Sequence, residues 1–183
     1  NDRVRLINSV RELCQDKRER ALVETFTSIH EALSALDSLE VRGRDSAGLH
    51  VMIQDHALDL NDPTLLSEIT DRSSDNDFKS GSIRVVDGQI SFVYKTASEI
   101  GRLGDNTLVL RKAIMSDKLL HRALASSQAS AVVVGHTRWA SIGIISEPNA
   151  HPLNSEQEGQ GEMPYVVAAI NGDVDNFADL KEI

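Results

Sequence analysis

The sequence lacks features that several classes of protein require. It contains one cysteine, Cys14, which excludes an internal disulfide and a cysteine-based zinc site. Aromatic residues make up only 4% of the chain, so surfaces that stack on nucleic-acid bases are not expected. Basic residues are outnumbered by acidic ones, 19 to 28, and the net charge of -9 argues against binding to a phosphate backbone. We therefore expect no nucleic-acid partner.

Long hydrophobic runs and a recognisable leader are also missing. No apolar stretch approaches the roughly 20 residues that a transmembrane helix needs. The first ten residues, NDRVRLINSV, have neither the basic start nor the apolar middle of a signal peptide. With 40% hydrophobic and 26% charged residues, the 183-residue chain has the composition of one globular domain. These observations predict a cytoplasmic protein without a membrane partner.

Apolar residues recur at helical spacing in several parts of the chain. They predict helices over residues 3–20, 21–40, 61–72, 105–124 and from about 175 onward. The third of these helices has Asn61 or Asp62 as its N-cap and Pro63 in its first turn. The last helix likewise begins behind an Asp or Asn cap.

Alternating and continuous apolar segments predict the strands. AGLHVMI, residues 47–53, has one apolar face. Residues 82–95 form a predicted hairpin around the two-residue turn Asp87-Gly88. Residues 130–139 and 164–173 are apolar on both faces, which predicts two central strands. The polar stretch 73–82 is predicted to be a loop.

Three short stretches combine glycine with donor-rich side chains: LEVRGRDSAG (39–48), GHTRWASIG (135–143) and AINGD (169–173). Glycine lets a backbone N–H approach a ligand, and arginine presents a fork of donors that matches a carboxylate. Arg138 directly follows an apolar strand and is a candidate for holding a small anion, although a surface ion pair is the alternative. Asn171-Gly172 is either an oxyanion hole or a hairpin turn.

Taken together, these stretches resemble the glutaminase domain of class II glutamine amidotransferases, which are N-terminal-nucleophile hydrolases. RGRDSAG is similar to the family's Arg-Gly-Tyr-Asp-Ser-Ala-Gly. GHTRWAS and SEPNAHP are similar to its His-Thr-Arg-Trp-Ala-Thr-His-Gly and Ser-Glu-Asn-Ala-His-Pro. INGDVDNFADLK resembles its His-Asn-Gly segment and the following helix start. The motifs occur in family order and favour the branch that aminates fructose 6-phosphate.

The resemblance implies an α+β fold, the four-layer α/β/β/α sandwich of N-terminal-nucleophile hydrolases. Residues 1–183 would form one glutaminase-like domain, truncated at both ends, with insertions at 1–20 and 54–82. The intact protein would hydrolyse glutamine through a γ-glutamyl thioester. Ammonia would pass to a sugar-phosphate isomerase domain C-terminal to this chain, which makes glucosamine 6-phosphate. The resemblance implies no cofactor or metal and is compatible with a homodimer of the full-length protein.

The resemblance also implies a set of site residues. The substrate-binding residues would be Arg138, Trp139, Ser141 and His151. The catalytic residues would be Asn171, Gly172, Arg42 and Gly43. In this assignment, Arg138 holds the α-carboxylate of glutamine, Asn171 and Gly172 form the oxyanion hole, and Arg42 and Gly43 position the amino terminus of the nucleophile.

The sequence departs from the family pattern at the nucleophile and at three internal positions. The family's nucleophile is an N-terminal cysteine whose α-amino group acts as the base, whereas residue 1 here is asparagine. Ile142 and Ile170 replace histidines, and Arg44 replaces a tyrosine. We expect a fragment that does not hydrolyse glutamine by itself. The alternatives are a non-catalytic glutaminase-like module, which binds glutamine or a partner chain, and the glutaminase domain of another class II amidotransferase.

Overall fold

The computed structural model describes residues 2–75, 77–97, 102–140, 143–155 and 165–180, and of Phe177 the backbone alone. The helices are α1 (Asp2–Leu13), α2 (Arg20–Leu39), α3 (Pro63–Ser73), α4 (Asp105–Ser116), α5 (Lys118–Ala123) and α6 (Phe177–Leu180). The strands are β1 (Ser46–Gln54), β2 (Ile83–Val86), β3 (Gln89–Ala97), β4 (Ser130–Arg138), β5 (Leu153–Asn154) and β6 (Val167–Ala168).

Four of the strands form an antiparallel sheet in the order β2-β3-β1-β4. β2 and β3 form the predicted hairpin, and both of its turn residues, Asp87 and Gly88, have positive φ angles, of 51° and 75°. This is the turn geometry that matches the twist of two antiparallel strands. β5 and β6 pair separately as a two-stranded antiparallel sheet.

One face of the four-stranded sheet carries the hydrophobic core. Leu49, Val51 and Ile53 of β1 are fully buried and point to the same face, because alternate residues of a strand do so. α2 and α4 pack against this face and also contact each other and α1. The residues that continue the helical period of α2 are buried in the same core: Leu22, Phe26, Ile29 and Leu33.

The opposite face of the sheet is more polar. Gly48 of β1 lies between Lys95 of β3 and His136 of β4 in the strand register, and His50 lies on the same face. Phe78 covers this face, with its ring centroid 5.1 Å from that of His50 and 4.8 Å from the Nζ of Lys95. The loop predicted over 73–82 begins at residue 74, after α3, and in the part that the structure describes it buries a large aromatic side chain.

The structure confirms most of the predicted helices and corrects two of them. α3 begins as predicted, because the Asp62 carboxylate accepts a hydrogen bond from the Thr64 N–H at 2.9 Å. The helix predicted over 3–20 ends at Leu13, and the positive φ angles of Gln15 and Asp16 turn the chain there. The helix predicted over 105–124 is interrupted at Asp117.

The two strands predicted to be central are not central. β4 is an edge strand of the four-stranded sheet, and Val132 within it is 59% exposed. In the part that the structure describes, the segment predicted as a strand over 164–173 pairs only at Val167–Ala168. Apolar side chains show which faces a strand can bury, but not which of its edges find hydrogen-bonding partners. The two strands that are paired on both sides, and so occupy the sheet interior, are β1 and β3.

The molecule is therefore a mixed α+β structure in which helices pack on a four-stranded antiparallel sheet. This confirms the predicted class. In the described ranges, each helix is too short or too polar to span a bilayer.

Candidate active site

A cavity of about 960 Å³ lies where β4 leaves the sheet. Its wall is formed by the connection from α2 to β1, by the end of β4, and by residues from 143–153 and 170–174. Six of the eight predicted site residues line it: Arg42, Arg138, Trp139, His151, Asn171 and Gly172. Gly43 lies directly against the end of β4, and Ser141 is outside the described residues, as is Ile142. The sequence prediction and the cavity thus coincide at residues from four separate parts of the chain.

Gly43 allows the connection from α2 to β1 to lie against the end of β4. Its carbonyl accepts a hydrogen bond from the Thr137 hydroxyl. A Cβ atom at position 43 would lie 2.8 Å from that hydroxyl oxygen and 3.1 Å from the Trp139 nitrogen. A larger residue would therefore push the connection away from β4. Arg42, next to Gly43, is exposed on the cavity wall.

Asp45 fixes the backbone on both sides of Trp139, directly after Arg138. The Asp45 N–H donates to the Arg138 carbonyl at 3.2 Å, and the Ala140 N–H donates to the Asp45 carboxylate at 2.8 Å. Asp45 was not among the predicted site residues, although it belongs to the RGRDSAG stretch. The sequence signal that could have identified Asp45 is its position directly before a strand, where a carboxylate can accept a hydrogen bond from a neighbouring backbone N–H.

The Arg138 side chain lies on the sheet face opposite the helices. In the register it faces Ser46, two positions from the pair of Gly48 and His136. Its Nη1 donates to the Ile144 carbonyl at 3.3 Å. The Asn149 Nδ2 donates to the same carbonyl oxygen at 3.1 Å. Asn149 also lines the cavity and was missed by the sequence analysis.

Two histidines lie next to each other in the wall. The ring centroids of His136 and His151 are 5.0 Å apart. Burial lowers the pKa of both, and the positive charge of Arg138 lowers both further. His136 was not among the predicted site residues, but it stands two positions before Arg138 and so shares its face of the strand. Both imidazoles are neutral near pH 7.

His151 is held between the sheet and the 170–174 segment. A Cβ at Gly48 would lie 2.3 Å from the His151 carbonyl oxygen, so only glycine allows this approach. The peptide bond between His151 and Pro152 is cis. The Ile170 N–H donates to the His151 Nδ1 at 3.5 Å. This contact connects His151 to the chain immediately before Asn171.

The rest of the wall determines the charge and exposure of the cavity. The charged lining residues are Arg42, Arg138 and Asp173. Two cations against one anion favour a small anionic group as the ligand. Trp139 is 71% exposed, so it serves as wall rather than core, and Asn171 and Gly172 are exposed in the same opening. Gly172 has a φ of 151°.

Comparison with curated proteins finds relatives that share one name, glutamine–fructose-6-phosphate aminotransferase (isomerizing). The relative from Chlamydia abortus is 33% identical over 102 residues, which cover 53% of this chain. The relative from Shouchella clausii is 31% identical over 149 residues, or 81% of this chain. That from Thermococcus kodakarensis is 33% identical over 89 residues, or 49% of this chain. The chain is a distant homologue of the N-terminal part of these aminotransferases.

The match covers a small part of the relatives. It spans 15% of the Chlamydia and Shouchella proteins and 14% of the Thermococcus protein. No protein-family model and no solved structure matches the chain.

Proposed function

We propose that the cavity at the end of β4 binds glutamine and that the chain is a glutaminase-type domain. One observation carries this proposal. Six residues that the motifs select, spread from position 42 to position 172, line a single cavity. The distant homology to the N-terminal part of the aminotransferases supports the same conclusion.

The proposed chemistry assigns a role to each side of the cavity. Arg138 forms a bidentate pair with the α-carboxylate of glutamine, because its planar fork of N–H donors matches the two oxygens. The Asn171 amide and the Gly172 N–H stabilise the negative oxygen of the tetrahedral intermediate. Trp139 and His151 wall the cavity, and Ser141 assists Arg138. Arg42 and Gly43 position the amino terminus of the nucleophile.

The proposed fold is the four-layer sandwich of N-terminal-nucleophile hydrolases, formed by residues 1–183 with insertions at 1–20 and 54–82. The sheet with helices on one face and a second polar face supports it. In the longer protein, ammonia released from glutamine passes to a sugar-phosphate isomerase domain and yields glucosamine 6-phosphate. The relatives' shared name supports that acceptor.

The nucleophile of the reaction is not Cys14. This thiol is buried between α1 and α2, where burial raises its pKa to about 11. A thiol with so high a pKa is almost entirely protonated at neutral pH, and only the thiolate is a good nucleophile. Cys14 does not line the proposed glutamine cavity either. A second candidate function follows from this observation: a module that binds glutamine without turnover.

Glutamine binding tests the part of the proposal that both candidates share. We expect Arg138→Ala to weaken glutamine binding at least about tenfold, because a charged hydrogen-bonded pair with the carboxylate is lost. Isothermal titration with L-glutamine measures the affinity. Arg20→Ala is the matched control, since Arg20 lies on α2 in an exposed pair with Glu24. Equal affinities of the wild type and Arg138→Ala would overturn the glutamine site.

Turnover distinguishes the two candidates. The natural full-length protein is treated with a diazoketone analogue of glutamine, and its intact mass is measured before peptide mapping. An adduct on an N-terminal cysteine supports the glutaminase. Glutamine binding without an adduct and without ammonia release supports the non-catalytic module.

A further inference from the structure

We propose that Gly143, the Ile144 carbonyl and Asn149 act together to position the Arg138 guanidinium for a carboxylate ligand. We call residues 143–149 the positioning turn. The inference rests on the proposed function, because it explains how the same cavity selects its ligand. It adds residues that neither the motifs nor the homology assigned.

The Ile144 carbonyl oxygen is shared by two side-chain donors. The Arg138 Nη1 and the Asn149 Nδ2 both donate to it, at 3.3 Å and 3.1 Å. A half-exposed arginine otherwise samples many rotamers, and holding it costs conformational entropy when a ligand binds. The carbonyl fixes one edge of the guanidinium before a ligand binds, so less conformational entropy is lost when a carboxylate pairs with it. Asn149 fixes the carbonyl in turn.

Gly143 provides the space that this arrangement needs. Its φ of 97° is a conformation that residues with a side chain rarely adopt. A Cβ at this position would also lie 3.3 Å from the Arg138 Nη2, tighter than most contacts of a Cβ atom. The backbone conformation therefore favours glycine, and a methyl group here would also press against the end of the Arg138 side chain.

The positioning turn is itself anchored to the sheet. The Ala150 N–H donates to the Glu147 carbonyl at 3.0 Å and closes the turn. The Lys95 ammonium of β3 donates to the Pro148 carbonyl at 3.4 Å. The Ser80 N–H donates to the Glu147 carboxylate at 3.3 Å. Because Arg138 ends β4 and Lys95 belongs to the same sheet, the turn and the guanidinium share one rigid support.

Substitution of Asn149 tests the positioning role. We expect Asn149→Ala to weaken L-glutamine binding about three- to tenfold, the range of one hydrogen bond. Asn61→Ala, an exposed asparagine ahead of α3, is the control and leaves the affinity unchanged. L-Glutamine amide, in which a neutral carboxamide replaces the α-carboxylate, is titrated in parallel. Asn149→Ala lowers the preference for the carboxylate over the carboxamide if it acts through Arg138. An equal loss for both ligands overturns the proposal.

Two glycines with the same backbone strain provide a second comparison. Gly81 has a φ of 92°, and a Cβ there would meet no atom within 4 Å. Gly143→Ala and Gly81→Ala should therefore both lower thermal stability. Only Gly143→Ala is expected to weaken glutamine binding by the folded protein, by more than about tenfold, since its methyl group displaces the guanidinium. Similar affinities in the two variants contradict the inference.

A measurement without ligand separates this inference from the glutamine proposal. The Nε–Hε resonance of Arg138 is recorded by NMR relaxation in the wild type and in Asn149→Ala. Faster side-chain motion in the variant supports the positioning turn even if glutamine does not bind, in which case only the glutamine proposal fails. Unchanged motion overturns the positioning turn whatever the titrations show.

Discussion

Gly48 shows how a single residue can determine the shape of the site. It lies in the middle of β1, where glycine is unfavourable because it packs no side chain and adds flexibility to the unfolded chain. Glycine is needed here because a Cβ atom at position 48 would lie only 2.3 Å from the carbonyl oxygen of His151. The segment that carries His151 can approach the sheet this closely only over a residue without a side chain.

Gly48→Ala should therefore destabilise the protein, by about 1–3 kcal/mol, because the added methyl group overpacks a rigid backbone contact. It should also weaken glutamine binding, since His151 moves with its carbonyl. Chemical denaturation measures the first effect and calorimetry the second. Gly135→Ala in β4 is the control for stability, because a Cβ there meets only flexible leucine methyl groups at 3.3–3.6 Å. Equal stability losses in the two variants would contradict the explanation.

The break between α4 and α5 is decided by one carboxylate. Asp117 accepts hydrogen bonds from the backbone N–H groups of Leu119 and Leu120 in the first turn of α5. It also forms a bidentate pair with Arg72 of α3, at 2.7 and 3.2 Å. The Tyr94 hydroxyl donates to it at 2.9 Å. Burial opposes ionisation of Asp117, but the hydrogen bonds and charge of Arg72 outweigh it and lower the pKa of the carboxyl group. One side chain thus connects three elements.

Asp117→Ala should destabilise the protein by about 3–5 kcal/mol, because it leaves the Arg72 guanidinium without its partner and removes the cap of α5. Glu24→Ala is the matched control. Glu24 also pairs with an arginine at 2.7 Å, but that pair is exposed and screened by solvent, so its loss should change the stability little. Urea denaturation measures both. A loss for Asp117→Ala as small as that for Glu24→Ala would refute the structural role of the network.

At the scale of the whole molecule, basic side chains are buried on the polar face of the four-stranded sheet. His50 is fully buried there, and burial, together with the nearby charge of Lys95, lowers its pKa to about 3. Burial likewise lowers the pKa of Lys95 to about 8. The pKa values of His136 and His151 on the same side of the molecule are lowered too. These groups favour the folded state only when they are neutral.

Stability should consequently fall as the solution is acidified. The unfolded state takes up a proton on His50 near pH 6.5, whereas the folded state resists until about pH 3. The contribution of His50 is fully present above pH 6.5, and about 2 kcal/mol of it is lost by pH 5. Denaturation curves recorded between pH 5 and 7.5 measure how steeply the free energy of unfolding depends on pH. His50→Leu should flatten this dependence, and an unchanged slope in that variant would show that other groups cause it.

The sequence by itself determined what depends on neighbours along the chain. The helical period of α2, the Asp62 cap of α3 and the turn at Asp87-Gly88 were all predicted correctly, because local hydrogen bonds and the spacing of apolar residues encode them. The motifs also selected residues that line the cavity, through resemblance to a known family rather than through their own chemistry.

Only the tertiary structure decided which segments meet. It placed β4 at an edge, buried Phe78 from a polar loop, and brought Asn149 to Arg138 and His151 to His136. A periodic pattern shows that a face is apolar, but the partner of that face lies far away in the sequence. Contacts between distant residues depend on how all the elements pack at once, and no local stretch contains that information.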